Sequence, residues 1–440
     1  MTNLARYDVA VVGAGPAGSI AALVLARAGA RVALVDKASF PRHKACGDLV
    51  GPRGVRILSD LGVLPRGRRL GDMEVVGPTG RVVVLHATPG TTYPGFALSI
   101  PRKILDAGLR DAALDAGADG YTGRAAAPHF ATDGELEGFQ LDGGADDSHN
   151  VRADVVIGAD GALSRVAAVA RLVDESKALW GFAVRAYGDA GPDLLRVIFW
   201  EPSAWSGYPG YGWEFPGVEG TSNVGLGAAA RGGRHFAAQV TRDLDGYVAS
   251  LPSASSLHEK LGGWLKLGIV GTVSARGRTL LVGDAAGLVN PLQGEGISQA
   301  LASGQAAAEA ILSAGPSGAA GRYRQELGRR YGPYFSATAP VTALLMRRPR
   351  LTAGVGRLLT APGLGRACAG AWALYWNDLI EGAPPGGRRL GASTADLLAR
   401  LTTSRSRDAR AIRESFTEEP ANQPQNHGAG HRPLARVEAP

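Results

Sequence analysis

A chain of 440 residues, 45% hydrophobic and 20% charged, has the length for two intimately packed domains and the composition of a soluble globular protein. The net charge of +7 is carried almost wholly by arginine, as a GC-rich gene would give or as attraction to diphosphates or a membrane surface would use; with no basic stripe interleaved with aromatics and no DNA-binding motif, nucleic acid is excluded as the partner. Two distant cysteines, Cys46 and Cys368, and eight scattered histidines exclude a disulfide framework and a metal site and indicate a reducing, cytoplasmic setting, while no apolar run reaches the length of a membrane span and the N-terminus lacks the basic region and cleavage site of a signal peptide.

Tyr7 to Val12 is short, β-branched and bounded by glycine, the pattern of a buried strand. Gly13-Ala14-Gly15-Pro16-Ala17-Gly18 follows and opens a helix, Ser19 to Arg27, that stops at Gly29. Arg31 to Asp36 reads as a second parallel strand ending in an acid. Gly13 makes the tight turn, Gly15 lets a pyrophosphate approach the backbone, and Gly18 lets the helix pack close to the strand. The helix start at Pro16 and Ala17 offers unpaired N–H groups to phosphates, and Asp36, about twenty residues on, can accept hydrogen bonds from a ribose. Strand, helix, second strand and acid together predict dinucleotide binding, without separating one dinucleotide from another.

The loop from Lys37 to Asp48 is expected to cross the top of this sheet. Arg53 to Leu61 reads as a short helix, and Met73–Val76 with Arg81–Leu85 as a hairpin across Gly77-Pro78-Thr79-Gly80. Phe96–Ile100 is a strand, and Pro101-Arg102 starts a helix to about Ala116. Residues 121–150 form a small meander with an acidic, glycine-rich turn at 143–147. Ala153 to Gly161 is a strand ending in a second glycine-acid turn, with a helix after Ser164. Residues 179–228 are β-rich, and Leu265–Val273 reads as a further strand. Thr279 to Gly287 is a third nucleotide-type segment, running through Asn290-Pro291-Leu292-Gln293-Gly294-Glu295-Gly296 into a helix, Ile297 to Leu312. Residues 320–400 are helical and arginine-rich. From about Thr402 the chain is polar and expected to be disordered. Gly225-Leu226-Gly227-Ala228 lies inside a predicted strand, so there is one fingerprint and no second nucleotide domain.

Gly13–Gly18 with Asp36, Gly158-Ala159-Asp160-Gly161 and Gly283-Asp284-Ala285-Ala286 together resemble the FAD-binding motifs of group A flavin monooxygenases, with their para-hydroxybenzoate hydroxylase-type fold. Pro41-Arg42-His43-Lys44-Ala45-Cys46-Gly47-Asp48, Pro209-Gly210-Tyr211-Gly212-Trp213-Glu214-Phe215-Pro216 with Asn223-Val224-Gly225-Leu226-Gly227, and Pro291 to Ile297 resemble the motifs of the geranylgeranyl reductase family, over roughly residues 5–380. In place of that family's Val-Arg pair after Ser164 the chain has Arg165-Val166-Ala167.

The resemblance implies an α/β protein: a split Rossmann-like FAD-binding domain with an inserted β-rich substrate domain and a C-terminal helical region. The expected boundaries are 1–165 for the first part of the FAD-binding domain, with 70–100 giving strands to the substrate sheet, 166–275 for the substrate domain, 276–315 for the completing part, 316–400 for the helical region and 401–440 for a disordered tail. It implies FAD as cofactor, reduced by NAD(P)H or ferredoxin, and hydride transfer from flavin N5 to an isoprenoid double bond of geranylgeranyl diphosphate, a prenyl phospholipid or a prenylated quinone. The rival that the same fold serves is a flavin monooxygenase that hydroxylates or epoxidises a hydrophobic substrate.

The cofactor contacts so implied are Gly13, Gly15, Pro16, Ala17, Gly18, Asp36, Lys37, Cys46, Gly47, Asp48, Arg102, Asp160, Gly283, Asp284, Pro291, Gly294, Glu295, Gly296 and Ile297, and the catalytic residues Cys46, Tyr211 and Trp213. Arg102 is expected to pair with the FAD phosphates or else to be a solvated surface arginine, and the Gly294-Glu295-Gly296 turn to aim N–H groups at the flavin N1–C2=O edge. Cys46 either packs or assists protonation, its pKa lowered by Arg42 and Lys44 if they face it. Tyr211 and Trp213 line a prenyl tunnel or pack in the core. Arg42, Lys44 and Arg53 are candidates for a diphosphate or phospholipid head group. The region 320–376, with Arg347-Arg348-Pro349-Arg350, Trp372, Leu374, Tyr375 and Trp376, either caps the substrate domain or rests peripherally on a membrane.

Overall fold

The computed structural model describes residues 4–86, 94–143, 150–189, 191–199, 210–230, 234–249, 251, 257–366, 368, 369, 412 and 416. Pro209, the turn residues 144–147, the aromatic group from Trp372 to Trp376, and all of 401–440 except Ile412 and Phe416 lie outside them.

The first strand, β1 (Leu4–Val12), is an apolar run from Val9 to Val12, where both its faces are covered. It pairs in parallel with β2 (Val32–Asp36) on one side and with Asn150–Gly158 on the other. The sheet continues in parallel to Asp119–Thr122 beyond β2 and to Thr279–Leu281 beyond Asn150–Gly158. The strands Arg124–Phe130 and Leu136–Asp142 attach antiparallel, and Ala275–Arg276 closes the far edge. Between β1 and β2 runs helix α1 (Pro16–Arg27), with proline in its first turn and Gly29 left-handed just past its end. A Cβ on Gly18 would lie 1.8 Å from the Gly13 carbonyl oxygen, so glycine there is what lets α1 lie against the turn.

The second sheet has seven strands, in the order Leu257–Leu267, Leu179–Gly188, Ser222–Ala230, Gly210–Pro216, Leu195–Ile198, Met73–Val76 and Val82–Leu85. The predicted hairpin thus joins this sheet through a parallel pairing of Met73–Val76 with Leu195–Ile198. Gly225 to Ala228 lies within Ser222–Ala230. A third, small sheet joins Leu49–Val50, Ala97–Ser99 and Arg68–Leu70.

One expectation needs correction, and the helices add to the rest. The strand read at Leu265–Val273 is Leu257–Leu267 and ends there, because Gly268, Ile269 and Gly271 are all left-handed. The helix read as Ile297–Leu312 runs to a break at Gly315 (φ 66°, ψ 178°), and Pro316 starts a second segment that ends at Arg347, inside the region read as helical. A helix at Arg234–Ala249, unforeseen within the β-rich region, covers the large sheet with Phe236, Val240, Leu244 and Tyr247, spaced for one face. Ile412 and Phe416, placed in the tail expected to be disordered, are buried, with Phe416 packed on Gly328 and Gly332 of the long helix. Among the described residues no helix is long and apolar enough to cross a membrane.

Candidate functional site

One cavity of about 980 Å³ runs from the C-terminal ends of the parallel strands to the large sheet and the end of the long helix. Ligands of open α/β sheets are held at such strand ends. Of the residues singled out from sequence, Gly13, Gly15, Pro16, Ala17, Asp36, Lys37, Cys46, Gly47, Arg102, Asp160, Tyr211, Trp213, Gly283, Asp284, Pro291, Gly294, Glu295, Gly296 and Ile297 all line it. Gly18 and Asp48 do not.

The nucleotide end is built by short-range geometry. Gly15 caps α1 with extended backbone and no side chain, so the first N–H groups of the helix open on the cavity. Gly13 is left-handed (φ 109°), and a Cβ there would meet the Ala159 carbonyl at 2.3 Å. The Asp36 carboxylate accepts from Ala14 N (2.9 Å) and Ala38 N (2.9 Å), which fixes it at the end of β2 with its face to the cavity. Arg42 overhangs the same place, 3.6 Å from Asp36 Oδ2 and 3.7 Å from where a Gly15 Cβ would stand. A bare helix N-terminus, an arginine above it and an acid beside it fit a dinucleotide pyrophosphate and ribose.

Several residues do other work than expected. Arg102 is not a solvated surface arginine, although it lines the cavity. It is buried and bonds Asp106 through both Nε (2.7 Å) and Nη2 (2.8 Å). Burial opposes the charge of Arg102, but the Asp106 carboxylate outweighs it and holds the guanidinium protonated. Arg42 Nη1 also pairs with Asp106, at 3.1 Å, so one fully buried carboxylate anchors two arginines. Arg53 does not line the cavity; it is buried, with its guanidinium over the Tyr331 ring at 5.6 Å.

Asp48 is left-handed (φ 59°), buried, and turned into the protein. Its carboxylate accepts from the Tyr187 hydroxyl (2.5 Å), Asn223 Nδ2 (2.9 Å) and Arg102 N (3.2 Å). Burial raises its pKa, with Tyr187 and Asn223 opposing. Asn223 Nδ2 also donates to the Cys46 carbonyl (2.8 Å), and Asn223 Oδ1 accepts from Trp213 Nε1 (2.9 Å). Asn223 therefore joins the cysteine loop, Asp48 and the Trp213 indole. Sequence reading missed this role, although an asparagine inside a strand, where asparagine is depleted, is a signal.

Burial raises the Cys46 thiol, and Arg102 opposes this only in part. The expected lowering by Arg42 and Lys44 is thus overturned. Burial also lowers Lys44, against the attraction of Asp284, and raises Asp284, against Lys44, Arg102 and Lys266. The Tyr211 hydroxyl donates to the Gln293 carbonyl, and burial raises its pKa. The Pro291–Gly296 loop is closed by its own hydrogen bonds: Gly294 N donates to the Asn290 carbonyl (2.9 Å), so it is not an N–H for the cavity, while Glu295 Oε1 accepts from Ser298 N (2.8 Å) at the start of the long helix. Asp160 accepts from Ser164 Oγ, Arg165 N and Val166 N and shapes the second glycine turn.

The far end of the cavity is walled by Phe199, Val341, Leu345, Val355 and Leu359. The charged residues that line the cavity stand instead on the nucleotide sheet, the Asp160–Arg165 turn, the Lys37–Cys46 loop, Arg102 and the segments Gly283-Asp284 and Gly294–Gly296. The arrangement fits a dinucleotide at one end and presents an apolar wall at the other, with Cys46, Tyr211 and Trp213 among its lining.

Comparison with known proteins agrees with this geometry. Residues 6–183 match the family described as FAD binding domain. A menaquinone reductase of Mycolicibacterium smegmatis is 34% identical over 358 residues, 78% of this chain and 86% of that protein. A digeranylgeranylglycerophospholipid reductase of Methanopyrus kandleri is 32% identical over 319 residues, 70% of this chain and 81% of that protein. The crystal structure of a geranylgeranyl bacteriochlorophyll reductase-like protein from Thermoplasma acidophilum has a TM-score of 0.69 over 86% of this chain and 98% of that one, at 22% identity, which speaks to the fold.

Proposed function

The chain belongs to the geranylgeranyl reductase family of FAD-dependent oxidoreductases, and from that premise we propose that it saturates an isoprenoid double bond of a prenyl lipid, with a prenylated quinone as the substrate class. The observation that carries this reading is the continuity of the cavity. One space joins the bare N-terminus of α1 to an apolar end, past Cys46, Tyr211 and Trp213. Among the described residues that line the cavity at its apolar end there is no lysine or arginine (Arg347, Arg348, Arg350 and Arg357 stand exposed outside it), so a head group held inside is better neutral than a diphosphate. The M. smegmatis relative named menaquinone reductase supports the same choice.

Bound FAD, once reduced, supplies the hydride. Gly13, Gly15, Pro16 and Ala17, with Asp36 and Arg42, would hold its phosphates and ribose, and Asp284 with the Pro291–Ile297 loop would border the rest of it. An isolated alkene is unactivated, so the protein's own contribution is position and a proton. The phenyl and indole faces of Tyr211 and Trp213 give the prenyl chain an apolar wall whose polar tips are occupied by Gln293 and Asn223. Cys46, kept protonated by burial, is the proton donor to the second alkene carbon.

The test is anaerobic. The purified yellow protein is reduced with dithionite and mixed with prenyl quinones and prenyl diphosphates, while the flavin spectrum and product mass are followed. Reoxidation with a gain of two hydrogens on a prenyl quinone is the expected result. Reoxidation only on admission of air, with a gain of one oxygen, overturns the proposal in favour of a monooxygenase. Cys46→Ala is expected to slow single-turnover reoxidation by about 10²–10⁴, the range of general-acid loss.

A further inference from the structure

We propose that the surface formed by the end of the long helix and the helix Pro349–Leu359 docks on an anionic lipid bilayer. Leu344, Leu351, Leu358 and Leu364 are all about half exposed or more, an unusual concentration of large apolar side chains. Val341 and Val355 are exposed as well, and both line the cavity, so the apolar patch rims its mouth.

The helix Pro349–Leu359 is two-faced. Gly356 and Leu359 are buried, and Gly356 meets Pro78 and Phe199. Leu351, Val355 and Leu358, at i, i+4 and i+7, form an outward stripe. Arg347, Arg348, Arg350, Arg357 and Arg366 are exposed around it. From Leu327 to Asn377 the chain holds seven arginines and no aspartate or glutamate. A helix that lies flat, shows an apolar stripe and is flanked by arginine suits the interface of a bilayer with negative head groups. No described helix is able to span a bilayer, so the contact is in-plane. That the cavity mouth then draws its substrate from the membrane rests on the proposed lipid-reductase reading; the docking rests on the patch alone.

The test uses the full-length flavoprotein, with Leu351→Asp/Leu358→Asp and Arg347→Gln/Arg350→Gln as variants whose flavin spectrum and Tm are checked. Co-sedimentation is measured with vesicles of phosphatidylglycerol mixed with phosphatidylcholine and of phosphatidylcholine alone. The wild type is expected to prefer the anionic vesicles. The leucine pair should lose about 100-fold in partition, tenfold per leucine. Each arginine removed should lose about fivefold on anionic vesicles, at low salt. Turnover of a prenyl quinone should fall in the leucine pair when it is presented in vesicles and stay within about twofold in detergent, where the interface is absent. Equal sedimentation of wild type and both variants, or none by the wild type, overturns the docking. Sedimentation as expected, with no prenyl lipid reduced in either form, leaves the docking standing and overturns the reductase reading.

Discussion

The Tyr187 hydroxyl donates to Asp48 at 2.5 Å, and this contact ties the cysteine loop to the large sheet across 139 positions of chain. Asp48 is buried, left-handed and shared by two further donors. Tyr187→Phe removes one donor to a buried carboxylate and is expected to cost about 2 kcal/mol. Asp48→Ala adds the strain of alanine at positive φ and leaves Asn223 and Tyr187 without their acceptor, so its loss should be larger, about 3–5 kcal/mol. Urea unfolding of the two variants checks the order, and equal losses would contradict it.

Asp106 is fully buried and anchors Arg102 and Arg42 together. Asp106→Asn leaves the buried Arg102 guanidinium uncompensated and Arg42 with Asp36 as its remaining acid. The expected loss is about 3–5 kcal/mol, with weakened flavin retention because Arg42 overhangs the start of α1. Unfolding midpoints and the flavin dissociation constant are the readouts. A loss below about 1 kcal/mol would show that Asp106 is not the anchor.

Lys266 is buried, and its pKa is lowered to about 8, chiefly by burial, with Asp160 and Asp284 opposing. The folded protein therefore binds fewer protons at this site than the unfolded chain between pH 8 and the ordinary lysine value of 10.5. Stability contributed by this group must rise with pH through that window, by a total on the order of 3 kcal/mol, and the penalty is fully present below pH 8. The difference between wild type and Lys266→Met in urea unfolding, taken from pH 7 to 10.5, should show this slope. A flat difference would refute it.

Gly225 makes room for Trp213: a Cβ there would lie 2.3 Å from Trp213 Cζ2 and 2.4 Å from the Val184 carbonyl oxygen. Gly225→Ala is expected to cost about 1–3 kcal/mol, to change the near-UV circular dichroism and to slow turnover, because the indole forms part of the cavity wall. Gly246→Ala is the control. That position, in the helix Arg234–Ala249, has nothing within 4 Å, so alanine should stabilise by about 0.5–1 kcal/mol.

The nucleotide end was legible because each of its parts signals locally. The turn needs Gly13, close packing needs Gly18, and the acid at Asp36 follows its own strand. What was not legible depends on partners far along the chain. Nothing near Arg102 says whether it meets a phosphate or Asp106, and nothing near Asp48 says that Tyr187 and Asn223 will turn it inward. The edge strand Leu257–Leu267 escaped because Glu259 is left-handed and its register slips opposite Arg185–Tyr187, which breaks the alternation that marks a strand. The cysteine was misjudged for a related reason: sequence shows the charges beside it and not the atoms that enclose it.

The interleaving of the two large sheets sets an order on synthesis. Met73–Val76 finds its neighbour only when Leu195–Ile198 has left the ribosome, and Leu179–Gly188 gains its second partner only with Leu257–Leu267. The parallel sheet that cradles the nucleotide is completed later still, by Thr279–Leu281. Neither half can close while the chain is being made up to that point, so flavin capture waits at least until residue 281 of 440 has emerged, and the nascent chain carries unpaired strand edges until then.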